Sequence, residues 1–142
     1  MLSIRGLATS FANVNVPKQY KAFTRVCMLF EREPCGESKL VLLTAGVIDH
    51  VMGDLRRDSP QFLRWFGVEL NSDNRRAVYV PSGFAHGFVT LTPAAEVFYQ
   101  MSERHRADHA TGVRWNDPAF GIVWPVSHPV ISERDAQFPD FL

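Results

Sequence analysis

Short apolar runs separated by turn residues recur along the chain. Val26 to Phe30 has the composition of a strand and stops at Glu33-Pro34-Cys35-Gly36. Lys39 to Leu43 follows, then Ala45-Gly46, then Val47 to Met52, with Gly53 and a polar run to Pro60 breaking the pattern again. Phe62 to Leu70 alternates in part and ends at Asn71-Ser72-Asp73-Asn74, whose short side chains favour a turn by bonding back to the backbone. Ala77 to Pro81, Gly87 to Leu91 and Glu96 to Met101 complete the set. Runs of this length and spacing predict an all-β sandwich or barrel. Helical periodicity is weak. The best helical turn spans Ser132 to Ala136, where Ser132 would cap a turn carrying Glu133 and Asp135.

The pattern changes from Trp115 onward. Trp115, Phe120, Trp124, Phe138 and Phe141 alternate with Pro118, Pro125, Pro129 and Pro139. Proline cannot donate to a strand ladder, so this segment is expected to wrap over the barrel and bury its aromatics there rather than join a sheet. One domain over residues 1–142 follows: a short N-terminal segment (1–25), a barrel core (26–110) and a C-terminal wrap (111–142).

Composition narrows the functional classes. Apolar residues make up 46%, enough for a core without staples. Fifteen basic and fifteen acidic residues give a formal net charge of zero, without the basic excess of a nucleic-acid-binding surface. No stretch reaches the roughly 18 apolar residues that span a membrane, and the N-terminus lacks the apolar run of a signal peptide. Cys27 and Cys35 are too few for a disulfide framework and wrongly spaced for a zinc or redox pair. They are expected to be free thiols, Cys27 buried, in a cytoplasmic protein.

The stretch Tyr79 to Phe88, YVPSGFAHGF, carries the most chemistry. His86 lies among small and aromatic residues, where burial would hold it neutral. Taken alone, such a histidine is more often a core residue than a catalyst. No His-x-His pair occurs, which argues against the metal-binding form of a small barrel.

Five segments together change the weighting: YVPSGFAHGF, KLVLLTAGVIDHVMGDLRRDSP (Lys39 to Pro60), AEVFYQMSERH (Ala95 to His105), GVRWNDPAFGIVWP (Gly112 to Pro125) and ISERDAQFP (Ile131 to Pro139). In this order and spacing the chain resembles the dTDP-4-dehydrorhamnose 3,5-epimerases from Val26 to Pro139. The resemblance implies a cupin-type double-stranded β-helix, or jelly roll. It also implies a homodimer, a nucleotide-linked 4-keto-6-deoxy sugar as substrate, and no metal or organic cofactor. It further implies epimerisation through an enolate, which needs a base on one face of the sugar, an acid on the other and a charge at the ketone oxygen. By the same resemblance Lys39 would sit at that oxygen, Tyr99 would be the acid, His86 would line the pocket, Asp135 would orient the base, and Arg56 would be structural.

The base does not carry over. The family signature Arg-Gly-Leu-His-Tyr-Gln aligns with Val26-Cys27-Met28-Leu29-Phe30-Glu31, so Leu29 stands at the catalytic histidine and Val26 at a phosphate-binding arginine. The segment before it is shorter than the family's, and His50 stands where an aspartate is usual. Loss of a general base costs about 10²- to 10⁴-fold in rate. Glu31, two residues on and therefore on the same strand face as Leu29, is a candidate replacement, and His50 is another. The competing role for Glu31 is a partner for Arg25, Arg32 or Lys39. His105 and His109 are expected to be exposed, and His128 structural. Three functions follow: an epimerase with altered chemistry, a non-catalytic binder of a sugar or nucleotide sugar, and a ketoisomerase.

Overall fold

A computed structural model describes residues 13–14, 18–21, 24–32, 36–103 and 108–142, with side chains from Met28 onward within those ranges. Cys35 and His105 lie outside the described residues, as does the side chain of Cys27. Among the described residues eleven strands and one helical turn follow in order: β1 (Asn13–Val14), β2 (Lys18–Lys21), β3 (Thr24–Glu31), β4 (Lys39–Ala45), β5 (Val47–Asp54), β6 (Trp65–Asn71), β7 (Ala77–Val80), β8 (Phe84–Thr90), β9 (Ala94–Met101), β10 (Ala110–Val113), β11 (Val130–Ile131) and α1 (Glu133–Ala136).

The strands form two sheets. One has the order β1-β9-β4-β7, with β2 also on β9; the other has the order β10-β3-β8-β5-β6, with β11 on β3. Successive strands from β6 to β10 alternate between the sheets, which is jelly-roll topology. Gly46 makes the step from β4 to β5. Its φ is +79°, and a Cβ there would stand 2.3 Å from the Ala94 carbonyl oxygen, so only glycine fits the crossover.

Alternation sorts the core into two clusters. Val41, Leu43, Ile48, Leu70, Val78, Val80, Phe88 and Val97 meet between the sheets. Met28, Val51, Ala85, Val113 and Phe120 form a second cluster on the outer face of the second sheet, joined by Leu55, Ile122, Trp124 and Phe141. Strand β8 is therefore buried at six consecutive positions, Ala85 to Thr90, because both of its faces are covered. The C-terminal segment supplies that outer cover, as the aromatic pattern predicts. Asp117 fastens it: Oδ1 accepts from Ala119 N–H (2.8 Å) and Oδ2 from Phe141 N–H (2.6 Å). The Trp124 indole donates to the Trp115 carbonyl at 3.0 Å.

Three expectations need correction. The C-terminal segment does add sheet, since Val130–Ile131 pairs in parallel with Thr24–Arg25 in the proline-free stretch between Pro129 and Pro139. The strand expected from Phe62 begins at Trp65, because Leu63 takes φ 64° in a turn whose Arg64 N–H bonds the Gln61 carbonyl. The barrel core expected from residue 26 gains two further strands, for β1 and β2, within the segment 1–25, lie along β9. The helical turn forms where expected, with the Ser132 hydroxyl accepting from Asp135 N–H at 3.1 Å.

Candidate active site

A cavity of about 290 Å³ opens between the sheets at one end of the sandwich. Leu29, Glu31 and Thr111 border it from the second sheet, Lys39 from the first, and Arg134 and Phe138 from the C-terminal segment. Behind it lies a chamber of about 10 Å³, room for one water-sized group. Leu29, Phe30, Glu31 and Lys39 border both spaces, and Glu37, Val80, Gly83, Phe84 and His86 complete the inner one.

Strand register explains this convergence. Leu29 faces His86 across the β3–β8 ladder, and directly opposed residues share a face. Glu31, two residues on, points the same way. On the other sheet Lys39 opposes Val80 and Met101, both buried, so its stem runs along the interior. The Lys39 ammonium is held 2.6 Å from Glu37 Oε1, with Lys39 17% and Glu37 3% exposed. The spacing Glu37-x-Lys39 at a strand start is the signal that would have identified Glu37 from sequence. Arg134, also absent from the candidates, had a weaker one: it adjoins Asp135 in the same helical turn.

The other candidates take different positions. Tyr99 opposes Val41 in the β4–β9 ladder, on the inward face and one pleat deeper than Lys39, packed against the main core and not among the cavity-lining residues. Asp135 is 4% exposed and also does not line the cavity; Arg134 binds its Oδ1 from Nε and a terminal nitrogen, each at 3.2 Å. His50 stands behind the chamber rather than on its wall. Its Nε2 lies 3.2 Å from His86 Nδ1, and burial lowers its pKa to about 4. His86 is 7% exposed; burial, then the charges of Lys39 and His50, put its pKa well below the ordinary value. As a replacement base, His50 is thus shielded from the cavity by His86. His109 is half-buried beside Asp108 (3.3 Å) rather than exposed. His128 is exposed rather than structural, because the chain there turns Trp124 inward and leaves His128 beside the Ser127 hydroxyl at 3.0 Å.

Arg56 has the structural place expected of it. Its Nε and a terminal nitrogen reach both oxygens of Asp54 at 2.9 and 2.7 Å, and its guanidinium lies 4.8 Å above the Phe84 ring. Gly83, at φ +87°, leaves room for the Arg56 stem, which would stand 2.7 Å from a Cβ. This clamp holds the lip of the chamber. The Arg56 guanidinium, opposed by burial and helped by Ser59, lowers the Asp54 pKa from 3.8 to about 2. A depressed carboxylate contributes stability above its unfolded pKa and loses it as pH falls through the folded one. The difference amounts to about 2 kcal/mol at neutral pH, an upper figure because Arg56 is half exposed and screened. Urea titrations should show Asp54→Asn less stable by up to that amount at pH 7, with the gap closing between about pH 4 and pH 2.

Among the described residues, no three His, Cys, Asp or Glu side chains cluster as a metal site, and no helix is long and apolar enough to cross a membrane.

Comparison with known proteins adds to this geometry. The family model for dTDP-4-dehydrorhamnose 3,5-epimerase matches residues 2–142. The dTDP-4-dehydrorhamnose 3,5-epimerase of Salmonella typhimurium is 38% identical over 94% of this chain and 73% of its own length. The Bacillus anthracis enzyme, solved with TDP and PPi bound, superposes with a TM-score of 0.91 at 41% identity, covering 95% of this chain and 77% of that one. A 3'-monoepimerase from Streptomyces bikiniensis, in complex with dTDP-quinovose, gives 0.85 at 29% identity over 92% and 66%.

Proposed function

The chain belongs to the dTDP-4-dehydrorhamnose 3,5-epimerase family, and from that premise we propose that it epimerises a nucleotide-linked 4-keto-6-deoxy sugar through an enolate, with Glu31 as the base beside Leu29. The observation that carries this reading is that Glu31 and Lys39 border one cavity from opposite sheets. A sugar lying between them would present one face to Glu31. The Glu31 carboxylate removes the proton next to the ketone; the C–H electron pair becomes the new C=C bond and the carbonyl π pair moves to oxygen. The Lys39 ammonium stabilises that oxyanion. Among the inward-facing residues of β4, β7 and β9, Lys39 and Tyr99 alone carry an N–H or O–H group. The family resemblance makes Tyr99 the acid that returns a proton from the other sheet's side, inverting the carbon; since Tyr99 lies one pleat beyond Lys39 and off the cavity wall, this role requires the sugar to reach past Lys39. The phenolate regains a proton from solvent as Glu31 releases its own.

At about 290 Å³ the cavity sits at the small end of ligand sites. The sugar fits inside and the nucleotide phosphates lie outside, toward Arg134. The reading includes a homodimer, for which exposed Trp65 (37%) and Phe66 (57%) on the edge strand β6 offer apolar surface. One-centre inversion is in keeping with the similar 3'-monoepimerase.

The second reading, a binder without turnover, is favoured by Leu29, an apolar group on the cavity wall where a base is needed. Incubating the protein with dTDP-linked 4-keto-6-deoxy sugars in deuterated water separates the two. We expect deuterium at C3, C5 or both by NMR. Binding without label across several such sugars would remove the catalytic reading and leave the binder.

A further inference from the structure

The two histidines buried side by side differ in what each can do. His50 and His86 are diagonal neighbours on the inward face of the β5–β8 ladder, where His50 opposes Phe88 and His86 opposes Met52. Their rings meet through His50 Nε2 and His86 Nδ1, 3.2 Å apart. That leaves His50 Nδ1 in the core, buried and without a hydrogen-bond partner among the described residues. It leaves His86 Nε2 as the ring nitrogen available to the chamber.

Two neutral arrangements can bridge the pair. Either His50 donates from Nε2, leaving a bare lone pair at its Nδ1, or His86 donates from Nδ1, in which case His50 must carry its proton at Nδ1. The second arrangement strands an N–H donor in a dry core. Orphaned buried N–H groups are rarer and more costly than under-used acceptors, and the bias against this one is about tenfold or more. A third arrangement, with both facing nitrogens bare, sets two lone pairs against each other at hydrogen-bond distance.

We infer that His50 is a positioning residue that fixes the tautomer of His86, so that the His86 ring presents an Nε2–H to the chamber as a hydrogen-bond donor for the substrate's keto oxygen. The inference rests on the epimerase reading for its substrate, and on the ring geometry for its tautomer. The chamber suits the role. It has room for about one oxygen-sized group and shares Leu29, Phe30, Glu31 and Lys39 with the larger cavity. Lys39 lies on its wall, so an oxygen placed there meets an ammonium and an imidazole N–H together. Glu31 and Glu37, also on that wall, favour an N–H over a bare nitrogen at His86 Nε2, and Lys39 is drawn off toward Glu37. His86 is thus an electrophilic group rather than the missing base: its Nδ1 lone pair is occupied and its Nε2 carries the proton.

Long-range proton–nitrogen NMR on 15N-histidine-labelled, ligand-free protein reads the tautomer directly and needs no turnover. We expect His86 as the Nε2–H form, with its Nδ1 a bare acceptor. His50→Leu removes the donor without adding a charge, so nothing in the ring pair holds His86 Nδ1 bare; the Nδ1–H form should appear in the spectrum, and deuterium exchange into a dTDP-linked 4-keto sugar should fall about tenfold or more with KM changed only a few-fold. His50→Gln, whose amide N–H can replace the donor, should keep the wild-type His86 tautomer and recover exchange relative to His50→Leu. Wild-type His86 in the Nδ1–H form overturns the inference, as does a folded His50→Leu protein with an unchanged His86 tautomer. If His50→Leu fails to fold, the wild-type spectrum and His50→Gln decide. An Nε2–H spectrum in a protein that exchanges no substrate proton would sink the epimerase reading and leave the tautomer assignment in place.

Discussion

Glu31→Gln is expected to slow deuterium exchange at the substrate carbons by about 10²- to 10⁴-fold while leaving sugar-nucleotide affinity within a few-fold. Glutamine keeps the size and hydrogen-bonding reach of glutamate but cannot accept the proton, so the loss falls on the chemical step. Initial rates of exchange in deuterated water, set beside calorimetric affinity for the same sugar nucleotide, measure both quantities. A companion change sharpens the result. Leu29 borders the same cavity and faces His86 across the ladder, so the side chain of Leu29→His would enter the cavity beside Glu31. In the Glu31→Gln background, Leu29→His should restore part of the lost exchange. Exchange unaffected by Glu31→Gln would show that Glu31 is not the base and would return it to the role of an ion-pair partner.

The distance between what the sequence showed and what the structure holds differs for fold and site. Strands β4, β5, β7 and β9 follow the apolar runs because alternation records which face is buried. Strands β1 and β2 escaped notice because Asn13–Val14 and Lys18–Lys21 carry little apolar pattern; pairing with β9 makes them strands. Strand β10 escaped for a similar reason: Ala110–Val113 is short, and it exists as the partner of β3. At the site, Lys39 and His86 border the inner chamber together with Glu31, whereas Tyr99 and Asp135, expected around the same cavity, do not line it: Tyr99 sits one pleat deeper in the core and Asp135 turns toward Arg134. The contact of His50 with His86 depends on the register between two strands 36 residues apart in sequence, and nothing local encodes it. The placing of Arg134 rather than Asp135 at the cavity depends likewise on the pairing of β11, just before the helical turn, with β3, which the sequence leaves open.

Lys39→Met should lower exchange by about 10²- to 10³-fold and also destabilise the protein, and the two losses can be separated. The ammonium serves two partners: it holds the buried Glu37 carboxylate at 2.6 Å and stands on the wall of the chamber where the oxyanion forms. Removing one member of a fully buried ion pair costs about 3–5 kcal/mol, because the other charge stays desolvated. The figure here is smaller, since Lys39 is 17% exposed at the cavity. Removing a charge aimed at a developing oxyanion costs about 10²- to 10³-fold in rate. The double variant Lys39→Met with Glu37→Gln no longer buries a carboxylate deprived of its cation, so chemical unfolding should place it closer to wild type than Lys39→Met alone. Its exchange rate should stay as low as that of the single variant, because neutralising Glu37 restores nothing at the ketone oxygen. A double variant that regained both stability and exchange would mean that Lys39 acts by holding Glu37 in place, and would take the oxyanion away from it.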